Sequence, residues 1–291
     1  MLDMLIKTFT QGDVAGYKSS LLHSSFWSQH NTKMFGEDKL TSVPLTWLTS
    51  AGRCEVFQSL VVQQANISVI HLKLKIQNYD LPINYTFWLH NNGEVIKSAY
   101  AILDTWQLAI AKNTPADEIT LSLPEPDPLV IPDYDQQDNL QGEFATPSCL
   151  VTQPCSLNAL LDSWWTIWGN SQLSTIDDVY TKKSDISLPG SFQQKNRSDI
   201  FEFVLMIKSK LTRVFCQLES VVIEGNNAAI KWFIDGDESG KKIRLPFITI
   251  IKTDAEQITS EIITCDILAF NKRYNHSKIF ELPTMSELFD K

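Results

Sequence analysis

Residues 243–266 read IRLPFITIIKTDAEQITSEIITCD: an apolar run, a polar break at KTDAEQ, and a second run closed by an acid. Ile and Thr dominate both runs, as they do in strands, and the break has the composition of a hairpin turn. Asp is depleted in strands because its short side chain competes for the backbone. Asp266 is therefore the residue that needs a reason. Residues 81–104, LPINYTFWLHNNGEVIKSAYAILD, lie over the same stretch without a gap. Glu94/Glu256, Ile96/Ile258, Ser98/Ser260 and Asp104/Asp266 coincide, and Cys54 meets Cys216 at the same shift. The matching order of apolar runs and turns gives these identities weight, and we read the chain as an internal duplication.

Around this core stretch the second half reads helix, helix, helix, then four antiparallel strands. Ser156 is placed to cap a helix whose stripe is Leu157, Leu160, Leu161, Trp164 and Trp168. Ser174 and Asp177 suit the start of a second, short helix. Ser198 precedes a third, with Ile200, Phe203, Val204, Ile207 and Leu211 on one face. Strands are expected at 216–224, 227–235, 242–252 and 257–269, joined by polar hairpins. The first half repeats this with damage. Leu2, Leu5, Ile6 and Phe9 open a helix, Pro44 shortens the third helix, and strands follow near 55–64, 67–76, 82–90 and 94–106.

Between the halves, residues 113–156 hold seven of the twelve prolines and eight acids, with no Lys or Arg. Such sequence reads as an extended acidic linker. The expected domains are thus 1–112, a linker at 113–156, 157–275, and a tail at 276–291.

Bulk properties exclude several classes. The chain of 291 residues is 43% hydrophobic and 20% charged, as globular proteins are. A net charge of −9 without clustered Lys and Arg argues against nucleic acid as a partner. No apolar run is long enough for a membrane span, and MLDMLIKTFTQGD does not read as a signal peptide. Five cysteines without C-x-x-C spacing argue against zinc ribbons and redox pairs, and point to a reduced, cytoplasmic setting. No spacing suggests a metal site, no glycine-rich loop suggests a phosphate-bearing cofactor, and none is expected. Four of the five histidines lie in the first half and His276 lies in the tail, so histidine-activated nucleophiles are excluded from the second domain.

Three short motifs carry a family resemblance: W-x3-G at Trp165 and Gly169, W-x3-G-x3-G at Trp232, Gly236 and Gly240, and I-x7-D-x-L at Ile258, Asp266 and Leu268. With them the second half resembles the nuclear transport factor two-like superfamily, in its SnoaL-like polyketide cyclase and ketosteroid-isomerase-like branch. The resemblance implies an α+β fold: two tandem cone-shaped domains, each of three helices on a curved, mainly antiparallel sheet. Relatives pair through the outer sheet face, so the two halves are expected to form a pseudo-dimer within one chain.

The resemblance also implies an acid on the last long strand, facing an apolar pocket and working without a metal. Asp266 falls at that position and Asp104 at its counterpart. Asp266 shares strand parity with Ile258, Ser260, Ile262 and Thr264. If that face lines the cone, Ile262 and Thr264 join the pocket wall, and desolvation raises the Asp266 pKa toward neutrality. Trp164, Trp168, Phe203, Trp232 and Phe247 are expected to face inward, either as pocket wall for a small hydrophobic ligand or as plain core. Tyr180 is placed to donate to an oxyanion or to sit in the core with its tip in water. The function expected on sequence is binding of a small hydrophobic ligand in the second-domain pocket, with cofactor-independent isomerase or cyclase catalysis by Asp266 open as an addition; the alternative is a non-catalytic interaction or scaffolding module with filled pockets.

Overall fold

Two sheets organise the chain in a computed structural model that describes residues 1–36, 39–40, 54–77, 79, 81–131, 157–254 and 256–280. The first half opens with α1 (Leu2–Gln11) and α2 (Val14–Ser19), then β1 (Leu21–Gln29) and β2 (Thr32–Phe35). The meander β3 (Cys54–Gln64), β4 (Ile67–Ile76), β5 (Pro82–Asn92) and β6 (Val95–Leu103) follows. Then come α3 (Thr105–Ala111) and α4 (Ala116–Ser122). The second half has α5 (Asn158–Gly169), a 3-10 turn at Leu173–Thr175, α6 (Ile176–Val179), β7 (Tyr180–Ser187) and α7 (Arg197–Ser209). Its meander is β8 (Thr212–Glu224), β9 (Asn227–Glu238), β10 (Lys241–Thr253) and β11 (Ile258–Thr264), closed by α8 (Ile267–Arg273).

The sheets share one strand order. The first runs β2-β1-β6-β5-β4-β3 and the second β7-β11-β10-β9-β8. Within each, the meander is antiparallel and one strand, β1 or β7, adds in parallel to its last member. The fold is α+β, two cone-shaped units in tandem, as expected. In the second unit α5, α6 and α7 precede the meander. In the first, α1 and α2 do so, while the expected third helix around Pro44 lies outside the described residues, as do Ser156 and residues 132–156.

Several local expectations are corrected. Asn196, not Ser198, caps α7 through a capping box with Asp199. The short helix after Ser174 ends at Val179 and gives way to β7, a strand the sequence reading did not contain. The last strands stop at Leu103 and Thr264, and the acids that follow each begin a helix. The acidic segment also starts as structure: α4 is helical, and its Ile119 is buried in the second unit's core together with Trp106 and Ile110 of α3.

The outer faces of the two sheets pack on each other. Val62, Val69, Trp88 and Ile102 of the first meet Val222, Ala229, Ile248 and Ile250 of the second in one buried cluster. At its edge the last residues of β3 and β8 exchange hydrogen bonds. The Gln63 N–H donates to Glu224 Oε2 at 2.8 Å, and the Ile223 N–H donates to Gln64 Oε1 at 3.1 Å. These two contacts are the same contact seen from either domain, as a pseudo-two-fold pairing requires. We expect Ile248→Ala to cost about 2–5 kcal/mol in chemical denaturation, the range for emptying a buried Ile site. Gln64→Ala and Glu224→Ala should cost about 1 kcal/mol each and by similar amounts.

Candidate functional site

The second cone is packed from the inside with aromatic rings. Trp164, Trp168, Trp232, Phe203 and Phe247 are all buried. The Trp232 and Phe247 rings stack with centroids 4.5 Å apart, Trp168 lies 4.7 Å from Trp232, and Trp164 meets Trp232 edge-on at 5.7 Å. Helix α5 delivers the two indoles because Trp164 and Trp168 are one helical turn apart. The meander delivers the others because Trp232 and Phe247 are directly paired across β9 and β10. These residues sit where the sequence placed them, facing inward.

One charged group lies among them, and the sequence reading did not single it out. Glu261 of β11 is fully buried. Its carboxylate accepts from Trp164 Nε1 at 2.8 Å and from the Tyr180 hydroxyl at 2.6 Å. Burial pushes its pKa up to about 7, against the lowering effect of those two donors. Tyr180 is thus a donor, to a carboxylate of its own chain. Glu261 was legible only as an acid inside an Ile-rich strand, the same signal that drew attention to Asp266.

The parity expected for β11 is reversed beyond its first residue. Residues opposite one another across an antiparallel pair point to the same side. Thr264 pairs with Ile248 and Ile262 with Ile250, and both partners belong to the inter-domain cluster. Glu261 pairs with Ile251 and Ile263 with Thr249, and Ile251 and Ile263 belong to the second unit's core. Ile262 and Thr264 therefore face the other domain and do not line the cone. A register shift between Lys252 and Thr253, opposite the start of β11, lets Ile258 face the core as well, which breaks the even-numbered series.

Asp266 continues that outward face and ends on the first domain. It caps α8: Oδ1 accepts from the Ala269 N–H at 3.2 Å. The same oxygen accepts from Thr105 Oγ1 at 2.5 Å, and Oδ2 lies 2.5 Å from His30 Nδ1, both of the first domain. Asp104 does the mirror-image work. It caps α3 through the Gln107 N–H at 2.9 Å, and its second oxygen accepts from the Gly190 N–H of the second domain at 2.6 Å. Burial pushes the Asp104 pKa up to about 7; its backbone donors pull it down, and the Asp266 charge adds to the rise. Gly190 has a φ of +75°, and a Cβ there would lie 2.6 Å from Cδ1 of Trp106. Only glycine brings the second domain's loop onto α3 at this distance.

The His30 contact is fixed by a chain of one-way donors. Trp27 Nε1 and the Tyr85 hydroxyl both donate to Gln29 Oε1, at 3.0 and 2.7 Å. Indole can only donate, so the amide oxygen of Gln29 faces the ring and its NH2 faces His30 Nε2, 2.8 Å away. Nε2 is then the acceptor, and Nδ1–H donates to Asp266. The imidazole is held at both nitrogens. His30 and Gly190 were not found from the sequence, because each matters only through the opposite domain.

No family model and no curated protein matches the chain. Solved structures do. A candidate polyketide cyclase from Bacillus cereus is 16% identical with a TM-score of 0.38, over 41% of this chain and 80% of its own. TsrD from Streptomyces laurentii is 13% identical with a TM-score of 0.37, over 42% of this chain and 96% of its own. A protein of ketosteroid-isomerase-like fold from Catenulispora acidiphila, solved with trimethylamine, is 13% identical with a TM-score of 0.37 and covers 42% of this chain and 97% of its own. Each match spans about the length of one of the two units.

Glu261 makes a testable electrostatic signature. Its folded pKa of about 7 lies above the usual 4.5. Its contribution is therefore fully present below pH 4.5 and is lost as pH rises through 7, by roughly 3 kcal/mol in all. Asp104, raised in the same direction, adds to the loss. Denaturation midpoints measured from pH 4 to pH 8 should fall in the wild type and fall clearly less in Glu261→Gln. An unchanged slope would contradict the assignment. Asp104→Asn keeps a capping oxygen but turns an NH2 toward the Gly190 N–H, and should cost about 2 kcal/mol or more, beyond a cap-for-cap exchange.

Proposed function

We propose that the chain is a non-catalytic binding or scaffolding module, an intramolecular pair of cones whose second pocket is filled by its own side chains. The observation that supports this reading is the state of the two acids that invited a catalytic role. The carboxylates of Asp266 and Asp104 bond to helix N-termini and to the opposite domain. A general acid or base must lie within hydrogen-bond reach of its substrate. In the second cone the space of a substrate is taken by Trp164, Trp168 and Trp232, in mutual ring contact. The three described cysteines are buried and unbridged, in keeping with a reduced, cytoplasmic setting. Among the described residues no helix is long and apolar enough to cross a membrane.

The second reading is a cofactor-independent isomerase or cyclase acting on a small hydrophobic carbonyl compound. One observation favours it: Glu261 titrates near neutrality beside the Tyr180 hydroxyl, an environment suited to moving protons. In that reading the tryptophans must part to admit a substrate to Glu261, and Asp266, a candidate acid/base from the sequence, must first release His30 and Thr105. Solvent-deuterium exchange at the α-carbon of hydrophobic ketones separates the two. The filled-cone reading predicts exchange no faster than in buffer. Protein-dependent exchange that Glu261→Gln or Asp266→Asn abolishes, with the fold retained by circular dichroism, would overturn it.

A further inference from the structure

Pairing the two sheets creates a cleft that neither cone contains, beside the inter-domain cluster. We propose that this cleft binds a small, flat aromatic carboxylate. It measures about 510 Å³, within the usual range of small-molecule sites. Both domains build it: β1, β2, β5 and β6 on one side, β8, β9, β10 and α8 on the other, with residues 127–129 after α4 at its wall. Phe26, Trp88 and Tyr100 face Phe233 and Pro246 across it, a lining suited to a planar apolar body.

The charge of the lining sets the ligand's sign. The chain carries −9 overall, yet among the described residues Lys33, Lys231, Arg244 and Arg273 line this cleft beside two acids, Asp127 and Glu219. Glu219 is engaged by Lys231 at 2.6 Å, and Lys231 also lies over the Tyr100 ring of the opposite domain. Asp127 Oδ2 accepts from the Lys33 backbone N–H at 2.6 Å. Arg244 is bidentate on Asp235. Asp127 keeps its charge and acts on the Arg273 guanidinium, whose Nη2 donates to the Asn31 carbonyl, so the positive charge left in excess is that of the Lys33 ammonium beside them.

Two buried donors complete the argument. Trp88 is 1% exposed, and its indole N–H has no acceptor among the described residues. Arg273 Nε also lacks one. Both atoms have almost no surface of their own, so a ligand oxygen reaches them when the Trp88 ring or the Arg273 guanidinium turns toward the cleft, and an anion there supplies the acceptor that each lacks. A carboxylate supplies several lone pairs and suits a guanidinium geometrically. A neutral apolar ligand would leave both donors unmet, and a cation would meet a lining that already carries positive charge in excess. The site lies outside both cones and holds whether or not the second cone turns anything over.

The test is calorimetric titration of the full chain with 2-naphthoate and, in parallel, with neutral 2-naphthamide. One-to-one binding of the carboxylate is expected, about tenfold tighter than the amide. Lys33→Ala and Arg273→Gln should each weaken it about tenfold, and Trp88→Phe, which puts a smaller aromatic ring there and removes the indole N–H, several-fold. Lys33 is exposed, so its variant carries the test if Arg273→Gln does not fold. Trp168→Phe, inside the second cone, should leave the affinity unchanged. No saturable binding up to about 1 mM, or equal affinity for acid and amide with no effect of Lys33→Ala, overturns the proposal. Binding lost in Trp168→Phe and kept in Lys33→Ala also overturns it, and places the ligand in the cone instead.

Discussion

The carboxylate of Asp266 is buried where it must serve two domains at once. A buried carboxylate needs hydrogen-bond donors for its oxygens, because its desolvation is otherwise uncompensated. Asp266 obtains one from its own helix and two from the first domain. Its His30 partner is oriented by Gln29, and Gln29 by Trp27 and Tyr85 deep in the first cone. The aromatic core of one cone is thereby tied through polar contacts to the closing helix of the other. Asp104 and Gly190 repeat the tie in reverse. With both ties made, each sheet is covered twice, by helices inside and by the partner sheet outside.

That double burial explains what the sequence disclosed. The meanders, their polar turns and the tandem α+β plan were readable, because a glycine- or asparagine-bearing turn between apolar runs is a local signal. The facing of β11 was not. Alternation identifies the buried face only when the other face is wet. In ITSEIIT both faces are covered, and a register shift resets the count after Ile258. Strand β7, YTKKSDIS, carries Lys and Asp because it is an edge strand with half its surface in water, and so it lacked strand composition.

The acid that looked misplaced in a strand was marking the strand's end. Asp followed by ILAF or by TWQL is also a helix start, with the N-cap immediately before an apolar turn. Ile267 and Phe270 in one turn, and Thr105 and Trp106 in the other, resemble strand composition, which carried the expected strands too far. The second-cone tryptophans could be placed facing inward from sequence alone. Whether they wall a pocket or fill it depends on ring-to-ring distances, which no one-dimensional pattern encodes. The inter-domain cleft was invisible for the same reason, since its lining comes from strands more than a hundred residues apart.

The function proposed here follows from that arrangement. The second cone's tryptophans pack on one another, and Asp266 and Asp104 bond across to the opposite domain. The buried acids make the two cones one cooperative body, which scanning calorimetry of the whole chain can resolve. A cooperative pair melts in a single transition whose calorimetric and van't Hoff enthalpies agree. Two resolved transitions, each with the enthalpy of a unit of roughly half the chain, would contradict it.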